Sequence, residues 1–191
     1  MQNRHSLAGQ LLVAMPSMAD PNFEHTVTFV CEHSPSGALG LTINRPMTME
    51  LGTVFDQLEL ERKPGNLGEQ RVLRGGPVQT ERGFILHESR LAVDDAWEAT
   101  TEVAPSIFVT TSQDILSDMA AGTGPNRALM ALGYAGWGAG QLDDEIRQNA
   151  WLTVPASAEL VFDTPFEKRW RAAASSIGID PATLSLQAGH A

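Results

Sequence analysis

The stretch from Thr26 to Ile43 constrains the fold most, because it encodes two strands joined by a tight turn. Apolar and polar residues alternate from Thr26 to Glu32, which is the period of a strand with one buried face. Ser34 to Gly37 has the composition of a turn, and Ala38 to Ile43 is a second apolar run. Strands joined so closely pair antiparallel, which argues against a purely parallel, doubly wound sheet.

Short apolar runs of strand character recur along the chain, with helical patterns between them. We therefore predict one α/β domain of the α+β kind over residues 1–191, with a mixed, largely antiparallel sheet and helices packed on it. A 42% hydrophobic content suffices for the core of such a domain. The further predicted strands are Gln10–Met15, Arg71–Arg74, Gly83–His87, Ser106–Thr110, Arg127–Tyr134 and Trp151–Val154, with the second and third of these forming a pair.

Helical spacing is clearest after Pro46, where Leu51, Val54, Phe55 and Leu58 lie at i, i+3, i+4 and i+7. Residues that favour helix starts precede three of the predicted helices: Thr48, Ser112, and Thr164 in a capping box with Glu167. A short helix is also predicted from about Gly140, and the tail from Gly178 has no clear pattern.

The charge balance weighs against direct nucleic-acid binding. The chain has 13 Lys and Arg against 23 Asp and Glu, a formal net charge of −10. Duplex DNA repels such a surface unless a local basic patch overrides the repulsion, and the sequence shows no such patch. The densest basic run, Lys168 to Arg171, is interpreted as one face of a helix.

Cys31 is the only cysteine, which excludes a disulfide within the chain and suits a reducing compartment. It shares a strand face with Val27 and Phe29, which predicts a buried, inert thiol. Leu7 to Met15 loosely resembles a signal peptide, but a first strand explains these residues better. Since no apolar run approaches the roughly 18 residues of a membrane span, we expect a cytoplasmic protein with no membrane partner.

Asn44, Arg45 and Pro46 follow the second hairpin strand and form the first candidate site. Arg45 could grip a carboxylate or phosphate while Asn44 orients it. The same residues also describe an ordinary strand end, in which Asn44 turns the chain and Arg45 pairs with a surface acid. The sequence leaves both interpretations open.

Two glycine-rich segments are the other candidates. Gly75 and Gly76 could offer bare backbone to a ligand, or could form a tight connection. The segment from Gly133 to Leu142 holds four glycines and two aromatic residues before a helix start. Trp137 and Gln141 could therefore form a pocket wall, or Trp137 could fill a close-packed corner of the core.

The sequence predicts no metal site and no cofactor, and it leaves catalytic residues unassigned. The five histidines lack metal-binding spacing, and a single cysteine does not support a structural zinc site. Neither a nucleophile elbow nor a phosphate-binding glycine motif is present.

Segments spread over nearly the whole chain match the pattern of one family. They are Leu11–Pro16 with Asp20, Pro21 and Phe23; Cys31–His33; Gly37–Pro46; Gly75–Val78 with Arg82–Phe84 and Leu86–His87; Thr111–Asp114; Gly133–Leu142; Asn149–Trp151; and Gly189–Ala191. With these segments the chain resembles the bacterial AlgH/YqgE family.

The resemblance implies a compact α/β fold without an established enzymatic activity, and it supplies no catalytic residues. One branch of the family carries a transcriptional-regulator label, which describes a regulatory effect and not DNA contact. The resemblance also makes six residues candidates for a ligand-binding surface that is shared by the family. They are Asn44, Arg45, Gly75, Gly76, Trp137 and Gln141.

The sequence supports three hypotheses about function. The first is a cytoplasmic regulatory or interaction protein that binds an unknown small ligand or protein partner. The second is an enzyme with a pocket where Asn44 and Arg45, Gly75 and Gly76, and Trp137 converge. The third is direct DNA binding, which the acidic composition disfavours.

Overall fold

A curled, mostly antiparallel sheet with helices packed on it forms the body of the computed structural model, which describes residues 6–89 and 97–187. This confirms the predicted fold class. The strands are β1 Gln10–Ala14, β2 Val27–Ser34, β3 Gly37–Thr42, β4 Pro46–Glu50, β5 Arg71–Arg74, β6 Val78–Glu88, β7 Thr100–Ala104, β8 Ile107–Thr110, β9 Ala128–Gly138 and β10 Trp151–Pro155. The helices are α1 Leu51–Gln57, α2 Asp114–Ala121, α3 Gln141–Arg147, α4 Phe166–Ser175 and α5 Pro181–Gln187, with a 3₁₀ turn over Asn66–Glu69 and a π turn over Glu159–Asp163.

The long strand β9 organises the sheet, whose order is β10-β1-β2-β3-β9-β6-β8-β7. The predicted hairpin is confirmed, because β2 and β3 pair antiparallel with Val30 opposite Gly40. One side of β9 pairs antiparallel with β3 near its end and parallel with β5 near its start. Its other side pairs antiparallel with β6. The strand β4 continues the sheet beyond β5.

The predicted pairing of Arg71–Arg74 with Gly83–His87 is wrong, because β9 lies between these two strands. Gly75 and Gly76 carry the chain from one side of β9 to the other. A Cβ atom on Gly76 would lie 2.1 Å from the carbonyl carbon of Tyr134, so only glycine permits this close approach. The strands β5 and β6 are therefore close in sequence but do not pair in the sheet.

The predicted helices α1 and α2 form, but their predicted caps are wrong. Thr48 belongs to β4, and α1 begins at Leu51, whose N–H donates to the carbonyl of Gln70. Ser112 instead contacts the Glu98 carbonyl and the Asp114 carboxylate. In α2, the Ile115 N–H donates to the Asp114 carboxylate. The predicted apolar faces are buried at Leu51, Val54 and Phe55 on α1 and at Ile115, Leu116, Met119 and Ala120 on α2. Leu58, predicted on the same face of α1, follows the helix and is partly buried.

The capping box before α4 is also wrong. The Thr164 hydroxyl donates to the carbonyl of Glu159 at 3.0 Å, so it closes the π turn instead of capping α4. The sequence patterns missed both this turn and helix α5. The strand predicted over Arg127–Tyr134 forms but runs on to Gly138, so Gly136 and Gly138 also lie within β9.

The interpretation of Lys168 to Arg171 as one helix face is wrong, because successive helix residues point about 100° apart. Arg169 is 2% exposed, and its guanidinium lies 4.5 Å from the ring centre of Phe166. It donates to the carbonyls of Thr164 and Ile43. Burial lowers the pKa of Arg169 to about 10. This cation therefore fastens α4 to the end of β3.

Candidate ligand site

Asn44 and Arg45 brace the loop between β1 and β2. The Val27 N–H donates to Oδ1 of Asn44 at 2.9 Å, and Nδ2 of Asn44 donates to the His25 carbonyl at 2.8 Å. The Arg45 guanidinium donates to the carbonyls of Pro21 and Glu24, both at 2.8 Å. Because a carbonyl carries no formal charge, these bonds fix the position of Arg45 without neutralising it.

Gly75 and Gly76 are buried and make backbone contacts with β9 and the end of β3. The Gly75 N–H donates to the Leu132 carbonyl, and the Gly75 carbonyl accepts from Thr42, both at 2.8 Å. The sequence left two interpretations of Gly75 and Gly76 open, a surface for a ligand or a tight connection. These bonds and the close approach to Tyr134 are those of a tight connection.

Trp137 and Gln141 belong to a hydrogen-bonded cluster centred on Glu145. The Glu145 carboxylate accepts the indole N–H of Trp137 at 2.9 Å and that of Trp151 at 2.8 Å. It also accepts the side-chain amide of Gln141 at 2.9 Å. Phe23 packs on both indoles, with ring centres 6.3 and 5.7 Å away. Trp137 is thus mostly buried, in a corner shared by β9, β10 and α3.

The six candidate residues do not line one cavity. Asn44 and Arg45 line a pocket of about 570 Å³ beside β4 and β5. Trp137 borders a separate pocket of about 620 Å³ at the β2–β3 turn. Gly75 and Gly76 line neither of these pockets. The structure therefore separates the segments whose convergence the enzyme hypothesis required.

A larger cavity, of about 700 Å³, lies elsewhere, and we call it the methionine cleft. It opens between β4, the first half of β6, and the helices α1 and α2. Its apolar lining is continuous with the core cluster under those two helices. The apolar residues that line it include Met47, Met49, Met130, Leu58, Ile85 and Leu116.

The mouth of the methionine cleft carries a few charged and polar side chains. Arg74 and Glu81 are exposed there. Arg82 also lines the cleft, but its guanidinium lies 5.0 Å from the ring centre of Phe84, on the face of β6 opposite to Ile85, so its charge points away from the apolar floor. An apolar floor beneath a few polar groups is the usual composition of a ligand pocket.

Sequence reasoning missed this cleft, although one signal was present. Met47 and Met49 are two residues apart, so on a strand they point to the same face. That pattern went unrecognised because Thr48 was interpreted as a helix cap. Met130 and Leu116 come from distant elements, so only the fold brings them together.

His87, at the end of β6, is buried behind the cleft and engaged on both ring nitrogens. Nδ1 lies 2.9 Å from the Glu88 carbonyl, and Nε2 lies 2.7 Å from the Thr110 hydroxyl. Since a carbonyl only accepts, Nδ1 carries the proton and Nε2 accepts from Thr110. Burial lowers the pKa of His87 below its ordinary value.

The Cys31 side chain, predicted to be buried, is half-buried beside a smaller cavity of about 230 Å³. Burial, followed by the neighbouring charge of Glu32, raises the pKa of its thiol above the ordinary range. Within residues 6–89 and 97–187, no three His, Cys, Asp or Glu side chains are grouped so that they could hold a metal ion.

Comparison with known proteins assigns the chain to a family. The family model described as AlgH-like matches residues 11–182. The chain belongs to the AlgH-like family. A UPF0301 protein of Saccharophagus degradans is 49% identical over 97% of this chain and 89% of its own length. One from Alcanivorax borkumensis is 50% identical over 95% of this chain and 94% of its own length. These family and protein names assign no biochemical function.

Solved structures confirm the AlgH-like fold. The solution structure of the AlgH protein from Pseudomonas aeruginosa superposes with a TM-score of 0.77 at 46% identity, covering 100% of this chain and 99% of that one. A crystal structure from Corynebacterium diphtheriae also gives 0.77, at 20% identity over 97% of this chain and 94% of its own, and shows the fold alone. In the part of this chain that the structure describes, no helix is long and apolar enough to span a bilayer.

Proposed function

We propose that this AlgH-like protein is a binding protein whose ligand occupies the methionine cleft. The supporting observation is the cleft itself, because its volume of about 700 Å³ falls within the range of about 300–1,000 Å³ that is usual for ligand sites. Its apolar floor favours an apolar ligand body, and the polar groups at its mouth can orient one end of that ligand.

The methionines suit such a role. An unbranched thioether side chain adapts to ligands of different shape, so Met47, Met49 and Met130 can close around an apolar group without exact complementarity. The helices α1 and α2 supply Val54 and Leu116 to the wall, and a ligand between them would tie the two helices together. A change in the packing of these helices on binding would give a regulatory or interaction protein its output.

The lining favours binding over chemistry. None of the described residues that line the methionine cleft is a histidine or cysteine, the side chains most often used as base or nucleophile near neutral pH. The Ser112 hydroxyl at the cleft is engaged by Glu98 and Asp114. A cytoplasmic setting remains part of the proposal and rests on the lone cysteine.

A neutral, environment-sensitive dye tests the proposal. N-phenylnaphthylamine should bind the wild-type protein with saturable fluorescence enhancement, because its aromatic body fits an apolar cleft. Met49→Glu places a carboxylate on the cleft wall and should weaken dye binding at least about tenfold, since burying an unpaired charge is unfavourable. Thr53→Glu is the control, because Thr53 is exposed on α1 away from the lining.

Equal dye affinity in wild type and Met49→Glu would refute the proposed site, as would the absence of saturable binding in the wild type. Circular dichroism of both variants must match the wild type for the comparison to count.

A further inference from the structure

The pocket lined by Asn44 and Arg45 adjoins the methionine cleft. Arg74 and Met47 line both cavities, so the two spaces meet at these side chains. We call this smaller space of about 570 Å³ the arginine pocket, after Arg45, Arg71 and Arg74. A ligand longer than one cavity could therefore occupy both.

The arginine pocket concentrates positive charge on an acidic protein. Three of its seven lining residues are arginines and none is an acid, whereas the whole chain carries a net charge of −10. Among the described residues, three other arginines are paired with acids: Arg62 with Asp56, Arg127 with Glu88 and Asp163, and Arg147 with Asp144. No ion pair found among residues 6–89 and 97–187 involves Arg45, Arg71 or Arg74.

The sequence-based expectation that no basic patch exists is therefore wrong for this face. Arg45 lies far from Arg71 and Arg74 in sequence, and antiparallel pairing of β4 with β5 brings them together. A search for basic runs along the chain cannot find a cluster that only the sheet assembles.

Two of the three guanidinium groups are held in place by neutral partners. Arg45 donates to the carbonyls of Pro21 and Glu24. Arg71 donates to the carbonyls of Met47 and Pro46. Arg74 is exposed, and its side chain makes no hydrogen bond to the residues that the structure describes. The pocket thus presents fixed positive charge, with one arginine free to close on a ligand.

We propose that the arginine pocket binds the phosphate group of an amphiphilic phosphomonoester, and that the apolar body of the same molecule lies in the methionine cleft. The inference rests on the proposed function, since it assumes that the cleft binds a ligand. A phosphomonoester carries about −1.5 to −2 charge near neutral pH and three acceptor oxygens. Three arginines without an acid match such a group better than a singly charged carboxylate.

Calorimetric titration with n-octyl phosphate tests this inference on the full chain. We expect n-octyl phosphate to bind at least about tenfold more tightly than either octanol or inorganic phosphate, because only the joined molecule reaches both cavities. Arg74→Gln should weaken n-octyl phosphate about 10- to 100-fold, the loss expected for one charge-assisted hydrogen bond.

Arg147→Gln is the matched control, because Arg147 is exposed on α3 and lines neither cavity. It removes the same charge and should leave n-octyl phosphate affinity at the wild-type value. An equal loss in Arg147→Gln would mean that only net charge matters and would overturn the inference.

The remaining outcomes separate this inference from the proposed function. If the dye binds but n-octyl phosphate binds no more tightly than octanol, the phosphate assignment fails and the cleft proposal stands. If inorganic phosphate alone binds as tightly as n-octyl phosphate, the pocket is an independent anion site and the joined ligand is refuted. Tighter binding of a short DNA duplex at the same arginine would likewise overturn the inference in favour of a nucleic acid.

Discussion

The carboxylate of Glu145 should stabilise the fold far more than an ordinary acid on a short helix. Trp137 and Trp151 are 6% and 4% exposed, so neither indole N–H can turn to water when its acceptor is lost. Glu145→Ala leaves both donors without a partner. Each unsatisfied buried donor costs about 1–3 kcal/mol, so we expect the free energy of unfolding to fall by about 2–6 kcal/mol.

Glu145→Gln separates hydrogen bonding from the carboxylate charge. Its amide oxygen can still accept from both indoles, but its NH₂ group then faces the NH₂ group of Gln141, which now donates to Glu145 at 2.9 Å. Gln141 cannot rotate its amide freely, because its oxygen accepts from the Gly138 N–H at 3.0 Å. One hydrogen bond is lost, and we expect a decrease of about 1 kcal/mol.

Urea unfolding followed by circular dichroism measures these differences without relying on the fluorescence of the altered tryptophan environments. Arg147→Ala is the control on the same helix. Its ion pair with Asp144 is exposed, so its loss should cost less than about 0.5 kcal/mol. If Glu145→Ala lies within that same margin of the wild type, the reasoning is refuted, because the indoles would then need no acceptor.

Three further predictions concern His87, Cys31 and Gly76. The lowered pKa of His87 means that the unfolded chain takes up the proton first as pH falls, so the free energy of unfolding should decrease from about pH 6.5 downward. His87→Asn should flatten that part of the urea-unfolding pH profile, and an unchanged profile would contradict the burial argument. Cys31, with its raised thiol pKa, should react slowly with a disulfide reagent in the native protein and rapidly in urea. Equal rates would show that its thiol is open to solvent. Gly76→Ala should lower the free energy of unfolding by about 1–3 kcal/mol through overpacking, whereas Gly65→Ala, where an added Cβ meets nothing within 4 Å, should be nearly neutral. Similar unfolding midpoints for the two alanine variants would exclude the close approach to β9.

The sequence predicted those parts of the fold that depend on neighbouring residues. The hairpin of β2 and β3 formed because strand alternation and turn composition act within a few residues. The apolar faces of α1 and α2 were also predicted from the local spacing of apolar residues. The cap of α1 was not, because the N–H of its first residue, Leu51, donates to a distant partner, the Gln70 carbonyl. The start of α3 at Gln141 agrees with the helix predicted from about Gly140. The placement of β9 between β5 and β6 depends on contacts across the whole sheet and left no local signal.

The candidate site, like the fold, was predicted only in part from the sequence. Sequence reasoning singled out Arg45 by its chemistry, and the structure places it beside two other arginines. Its ligand role stays a prediction. Gly76 and Trp137 are distinctive in sequence because the fold needs them, Gly76 for a close backbone approach and Trp137 for the Glu145 cluster. Unusual residues therefore marked packing constraints as readily as they marked a binding surface.

The position of β9 in the chain has a consequence during synthesis. Strands β1 to β3 and β6 to β8 leave the ribosome before residues 128–138, which join them. Until β9 arrives, β3 and β6 each present a row of unpaired backbone groups that can pair with another chain. The nascent protein thus carries two open sheet edges until β9 emerges, and chaperone contact before that moment would protect both of them.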